Sequence, residues 1–239
     1  MKYKLINIPN VLTCCNLICG CYATAVAFYA ADYRQFYAYA LVAILLGAVF
    51  DFFDGMSARL LGISSPIGKE LDSLADVVTF GLAPTAILFS LYQEVVYPEA
   101  LLPVRRYLPY AAFLMAAFSA LRLAKFNVDS RQSESFIGLP TPANALFWSS
   151  LAAGAHPFLV SARFNVVFLL LFMILFCMLL IAELPLFALK FKDLSWEHNK
   201  EKYIFLVGCL ALLPLGRSCM AAIVAWYIVL SLILPRCKS

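Results

Sequence analysis

Four aspartates interrupt an otherwise apolar part of the chain, the stretch DFFDGMSARLLGISSPIGKELDSLAD that begins at Asp51 and ends at Asp76. A carboxylate near the centre of a membrane-spanning helix costs about 2.5–3.5 kcal/mol, and less toward a helix end, so four of them demand partners or a function. Asp51 and Asp54 are three residues apart, and Asp72 and Asp76 are four apart, so on helices each pair shares a face and the two faces can meet. Four converging hard oxygens suit a divalent cation, Mg²⁺ or Mn²⁺, or two such ions bridged by carboxylates. Gly55 and Gly68 remove side chains where a ligand or a neighbouring helix must come close, and Arg59, one turn beyond Gly55, can reach a phosphate. Spacing alone leaves two other readings open: buried structural ion pairs, or carboxylates lining the ion pathway of a transporter.

The elements that must carry these residues follow from composition. With 239 residues, 64% hydrophobic and only 13% charged, the chain lies outside the range of soluble domains. Apolar runs long enough to cross about 30 Å of hydrocarbon recur near 11–30, 36–60, 71–93, 107–127, 142–161, 164–188, 203–216 and 218–235. The expected fold is an all-α integral membrane protein, a polytopic bundle of about eight transmembrane helices forming one domain over 1–239. The run 203–216 is short for a full crossing: it can be continued by polar residues, be tilted against thinner lipid, or pair with the next helix re-entrantly. With eight spans, 13 of the 18 Lys and Arg residues fall on one side and 5 on the other, which puts both termini, and the aspartate end of the helices, in the cytoplasm. The net charge of +4 then reflects topology and contact with anionic headgroups, and no basic, aromatic-interleaved patch points to nucleic acid.

The remaining reactive side chains read as structural. Cys14, Cys15, Cys19, Cys21, Cys177, Cys209 and Cys219 lie in apolar segments, with Cys237 in the tail, and suggest packing residues rather than a disulfide framework or a soft-metal site. His156 and His198 have no partner motif and are expected at the membrane faces. Trp148, Trp196 and Trp226, with the tyrosines, are expected in interfacial belts or lipid-facing packing. No Walker motif, Ser/His/Asp arrangement or Rossmann fingerprint is present, so an ATP-driven pump, an esterase or a reductase has no support.

Taken whole, Asp51-x2-Asp54-Gly55-x2-Ala58-Arg59-x8-Gly68-x3-Asp72-x3-Asp76 resembles the complete signature of the CDP-alcohol phosphotransferase family. The resemblance implies that Asp51, Asp54, Asp72 and Asp76 hold divalent metal, Mg²⁺ or Mn²⁺ and two ions in number, and that Asp76 is also the general base. It implies a CDP site lined by Asp54, Gly55, Ala58 and Arg59, with Ser65 and, at the start of the first helix, Asn10 and Thr13 as further contacts. The segments Ser119-Ala120-Leu121-Arg122-Leu123-Ala124-Lys125-Phe126-Asn127 and Phe136-Ile137-Gly138-Leu139-Pro140-Thr141-Pro142-Ala143 resemble the serine-using branch of that family. That branch implies transfer of the phosphatidyl group from CDP-diacylglycerol to L-serine, with Arg122 and Lys125 holding the serine carboxylate or the lipid phosphate, and a homodimer. Arg122 and Lys125 are equally readable as positive-inside anchors. A phosphorylated acceptor such as glycerol 3-phosphate or an inositol phosphate would need more cations than this patch supplies.

Overall fold

A computed structural model describes residues 6–62, 65–129, 136–186 and 196–233. Apart from a two-residue β pairing, the elements are helical: α1 (Ile8–Phe28), α2 (Gln35–Leu61), α3 (Pro66–Asp76), α4 (Ala83–Glu94), α5 (Phe113–Val128), α6 (Thr141–Leu159), α7 (Val166–Ile181), α8 (Trp196–Leu212) and α9 (Cys219–Ile233). Helix starts carry the expected chemistry. Asn7 caps α1 by accepting from the Asn10 amide at 2.8 Å, Ser65 caps α3 by accepting from Gly68, and a proline follows in the first turn of each. The α2 helix ends at Gly62 in the left-handed conformation, φ 63°.

Among the described residues, five stretches are long and apolar enough to cross a membrane: Ile8–Phe28, Gln35–Leu61, Pro66–Glu94, Leu108–Val128 and Asn199–Ile233. Eight spans were expected; the helices on the expected spans 142–161 and 164–188, α6 and α7, are not among the five. The expected span at 71–93 is one rod from Pro66 to Glu94, in which α3 and α4 are joined by a π-helical turn, Val77–Leu82. Pro84, in the first turn of α4, has no N–H to donate back along the helix, and the wider turn accommodates the lost bond. The α7 helix has only 16 residues, roughly 24 Å at about 1.5 Å per residue, and is shorter than a full crossing. The Asn199–Ile233 stretch is not a single rod. Phe205 stacks on Tyr227 with ring centroids 5.8 Å apart, and Gly208 touches Trp226, so α8 and α9 run antiparallel about the turn Leu213–Ser218, where Gly216 has φ 60°.

Small residues bring the first helices together. The α1 and α2 helices meet through Ala23, Ala27, Ala40, Ala43 and two glycines, as membrane helices do when close backbone approach replaces a hydrophobic driving force. A β-carbon on Gly20 would fall 2.7 Å from Thr79 Cα, and one on Gly47 would fall 2.6 Å from Thr79 Cγ2. These two glycines therefore let the π-helical turn press into the α1–α2 crossing. At the start of α6, Gly138 (φ 80°) turns the chain so that its amide donates to Leu184 O and the Leu139 amide donates to Leu179 O, both at 2.9 Å. The strand Phe136–Ile137 pairs antiparallel with Pro185–Leu186 beside this turn.

Two expectations are corrected here. Trp148 is fully buried, not interfacial, and is enclosed by Phe147, Phe172 and Phe176 from α6 and α7. His156 is also buried, not at the surface: its Nε2 lies 2.8 Å from Glu94 Oε2, while the Tyr37 hydroxyl donates to Glu94 Oε1 at 2.5 Å. The Tyr37–Glu94–His156 network ties α2, α4 and α6 at the end of the bundle opposite the aspartates. Of the other residues in those two readings, Trp226 is half-buried, and the side chains of Trp196 and His198, with Cys237, lie outside the described residues. Replacing His156 by Ala leaves a half-buried Glu94 oxygen without its imidazole partner, at a cost of about 1 kcal/mol or more. The expected result is a thermal unfolding midpoint lowered by several degrees in detergent, and an unchanged midpoint would mean that the network carries no stability.

Candidate active site

The aspartates meet at one end of the bundle. Single carboxylate oxygens of Asp51, Asp72 and Asp76 all lie within 4.8 Å of one another, with Asp51 contributed by α2 and the other two by α3. At metal–oxygen distances of about 2.0–2.6 Å, two oxygens on one divalent cation stand about 2.8–3.7 Å apart when adjacent and about 4–5 Å apart when opposite, so a separation under 4.8 Å is compatible with a shared ion. Asp72 Oδ1 is buried and accepts no hydrogen bond from the protein, which also fits a ligand oxygen. An all-carboxylate set selects a hard cation over a soft one. The triad is therefore competent to hold a divalent metal.

Asp54, the fourth aspartate of the sequence pattern, is turned differently. It is buried on the side of α2 facing α1, and Thr13 donates to its Oδ2 at 2.7 Å. It stays close enough to Asp51, Asp72 and Asp76 to interact with them electrostatically. Asp54 thus stands between the triad and a cleft of about 430 Å³ enclosed by the N-terminal end of α1, the C-terminal end of α2 and the start of α3. All seven residues expected at the nucleotide line this cleft: Asn10, Thr13, Asp54, Gly55, Ala58, Arg59 and Ser65. Gly68 and Asp72 border it as well. The local reasons are clear. A β-carbon on Gly68 would sit 3.1 Å from both Asn10 Oδ1 and Ser65 Oγ, so glycine lets α3 approach α1 here. At Gly55 a β-carbon would meet only the Arg59 guanidinium, at 3.9 Å, so glycine keeps the cleft open.

Sequence reasoning missed three contributors. Lys69 lines the cleft beside Arg59 and gives it a second cation; its Nζ also reaches Asn127 O at 3.4 Å. Asn16 is fully buried and donates from Nδ2 to Asp76 Oδ1 at 3.2 Å, while its backbone carbonyl accepts from Thr79 Oγ1 at 3.0 Å. The π-helical turn and α1 together therefore fix the Asp76 carboxylate. Asn127 donates to Ser73 Oγ at 2.8 Å and binds the end of α5 to α3. The signal for Asn16 was present: Asn10, Thr13, Asn16 and Gly20 recur at helical spacing on one face of an apolar helix.

The two expected acceptor-site cations have different surroundings. Arg122 is buried, interacts electrostatically with Asp76, and stacks over the Phe126 ring at 5.0 Å. Lys125 is partly exposed and pairs with Glu183 at 3.4 Å, joining α5 to the segment after α7. The arrangement thus gathers a carboxylate triad, a cleft lined by Arg59 and Lys69, and a buried guanidinium at one helical end. Chemically, it can hold a phosphate ester between a metal and a base.

Comparison with known proteins gives a consistent result. The profile of the CDP-alcohol phosphatidyltransferase family matches residues 6–234. A protein of Bacillus subtilis (strain 168) is 35% identical over 154 residues, covering 64% of this chain and 80% of its own length. One from Helicobacter pylori (strain J99) is 38% identical over 140 residues, 58% of this chain and 54% of that protein. One from Saccharomyces cerevisiae is 42% identical over 108 residues, 41% of this chain and 36% of that protein. All three are named CDP-diacylglycerol–serine O-phosphatidyltransferase. With the signature residues gathered round one cleft and the profile matched along nearly the whole chain, this protein belongs to the CDP-alcohol phosphatidyltransferase family.

Proposed function

We propose that this membrane enzyme transfers the phosphatidyl group of CDP-diacylglycerol to L-serine, producing phosphatidylserine and CMP at the cytoplasmic face. The observation that carries this reading is the position of Asp76: it belongs to the metal-competent triad and at the same time interacts with Arg122, the one buried Arg or Lys among the described residues. The names of the relatives support serine as the acceptor.

In this reading Asp51, Asp72 and Asp76, with Asp54 beside them, hold Mg²⁺ or Mn²⁺, and the family resemblance favours two ions. When bound, the metal neutralises the pyrophosphate and stabilises the departing CMP. Arg59 and Lys69 bind the phosphates in the cleft, and Gly55 and Ala58 admit the nucleotide without a steric block. Asn10, Thr13 and Ser65 supply polar contacts around it. Arg122 takes the serine carboxylate, while Lys125, held by Glu183, ties α5 in place. The serine hydroxyl oxygen forms its bond to phosphorus as the bond from phosphorus to the CMP oxygen breaks. The hydroxyl proton passes to Asp76, held ready by Asn16; a carboxylate need not generate a free alkoxide if it accepts the proton as the new bond forms. Positioning of the partners supplies most of the remaining acceleration.

The test is CMP release by purified protein in detergent with CDP-diacylglycerol and Mg²⁺ or Mn²⁺, comparing serine, glycerol 3-phosphate and inositol phosphate. Serine-dependent phosphatidylserine, identified by mass, is expected. Turnover with another alcohol would overturn the acceptor, and metal-independent or absent turnover with every alcohol would overturn the reaction.

A further inference from the structure

Outside the nucleotide cleft, on α5 and at the start of α6, four more polar residues are buried with an atom unpartnered. Ser119, Arg122, Thr141 and Asn144 are each no more than 6% exposed, and Ser119 Oγ, Arg122 Nε, Thr141 Oγ1 and Asn144 Oδ1 have no hydrogen-bond partner in the protein. Leaving such a group buried and unpaired is unfavourable, so four on two neighbouring helices mark a place built for something else.

They belong to one seam. Ser119 and Arg122 share a face of α5, three residues apart, and Thr141 and Asn144 share a face in the first turns of α6. The Asn144 amide nitrogen reaches Met115 Sδ at 3.2 Å, which brings the α6 pair against α5 one turn from Ser119. Ser119 in turn packs on the π-helical turn, where a β-carbon on Gly81 would lie 3.2 Å from Ser119 Cβ. Arg122 continues the line to Asp76.

The chemistry of the unpartnered atoms is divided. Arg122 offers an N–H beside its positive charge, whereas the other three atoms are oxygens, and Asn144, with its nitrogen on Met115, presents its carbonyl as an acceptor. One cation and a group of neutral acceptors match a zwitterion, with the carboxylate on Arg122 and the ammonium on the oxygens. A phosphorylated alcohol would instead leave the oxygens unused and require further positive charge.

We propose that Asn144 and Thr141, with Ser119, form the ammonium half of the acceptor site and so select an amino acid over alcohols that lack the amine. This rests on the serine-transfer reading and adds specificity residues from α5 and α6 to it. Discrimination of this kind is strong because the wrong acceptor leaves the buried oxygens unpaired.

The experiment compares wild type with Thr141→Val and Asn144→Leu, using serine as substrate and two inhibitors of its turnover: 3-hydroxypropanoate, which lacks the ammonium, and ethanolamine, which lacks the carboxylate. The expected result is a KM for serine raised about tenfold or more in each variant, with the KM for CDP-diacylglycerol within about twofold of wild type. Inhibition by 3-hydroxypropanoate, which has no ammonium to lose, is expected to be unchanged, while inhibition by ethanolamine weakens. An unchanged KM for serine would overturn the proposal and assign the seam to internal water. An equal loss for serine and both analogues would overturn it as general damage to the site. Thr141→Val is nearly isosteric and decides the question if Asn144→Leu does not fold. Failure of the serine reading itself would show separately, as wild-type protein that does not use serine.

Discussion

Asp76→Asn is expected to lower serine-dependent CMP release by roughly 10³-fold, within the 10²–10⁴ range for loss of a positioned general base. The substitution is informative because it changes so little else. An asparagine keeps an oxygen where Asp76 Oδ1 accepts from Asn16, so the hydrogen bond at 3.2 Å and the packing of α3 against α1 can persist. It also keeps one oxygen for the metal-competent triad. What it cannot do is take the proton of the attacking hydroxyl. CDP-diacylglycerol binding, read as protection against thermal unfolding, is therefore expected to survive, because none of the cleft-lining residues is altered. A variant that keeps activity within about tenfold of wild type would remove Asp76 as the proton acceptor. Loss of lipid binding together with activity would make its role one of assembling the site.

The aspartates were legible because a carboxylate in an apolar helix is conspicuous and because spacings of three and four residues fix a shared face. Their convergence could be anticipated from the two faces, but not the orientation of Asp54, which depends on Thr13, 41 residues away in sequence and on another helix. The same limit explains His156 and Trp148. Each is a single residue on a long apolar helix, and its burial depends on Glu94 and on the phenylalanines of α7, contacts that no local period encodes. The π-helical turn after Asp76 is hidden for a different reason. A run such as Val-Val-Thr-Phe-Gly-Leu is equally apolar in either helical form, and only tertiary packing, Gly20 and Gly47 against Thr79 and Gly81 against Ser119, distinguishes them. The hairpin of α8 and α9 was half visible: its short first arm was evident from length, its turn at Gly216 was not. Lys125 was assigned to a ligand, yet its side chain pairs with Glu183 in the segment after α7, and Asn127 of the same motif, given no role, joins α5 to α3. A motif residue can fix where the site stands without touching what the site binds.

Asp54→Asn is expected to weaken metal and nucleotide binding together, because this residue alone among the four both borders the cleft and accepts a hydrogen bond from α1 across it. Removing its charge while retaining its shape takes away an anion that interacts with the triad. The metal concentration for half-maximal activity should rise about 10- to 100-fold, the range found when a supporting group next to a metal ligand is lost. The KM for CDP-diacylglycerol should rise with it, since the pyrophosphate is held through the same cation and the Thr13 contact that shapes the cleft is weakened from a charge-assisted to a neutral hydrogen bond. Arg59→Met supplies the contrast. Arg59 lines the cleft at the exposed end of α2 and makes no contact with the triad in the structure, so its loss should raise the KM for the CDP-lipid while leaving metal half-saturation where it was. If Asp54→Asn moved only the nucleotide constant, the triad alone would hold the metal and Asp54 would belong to the cleft; if it moved neither, the cleft and the triad would not be parts of one site.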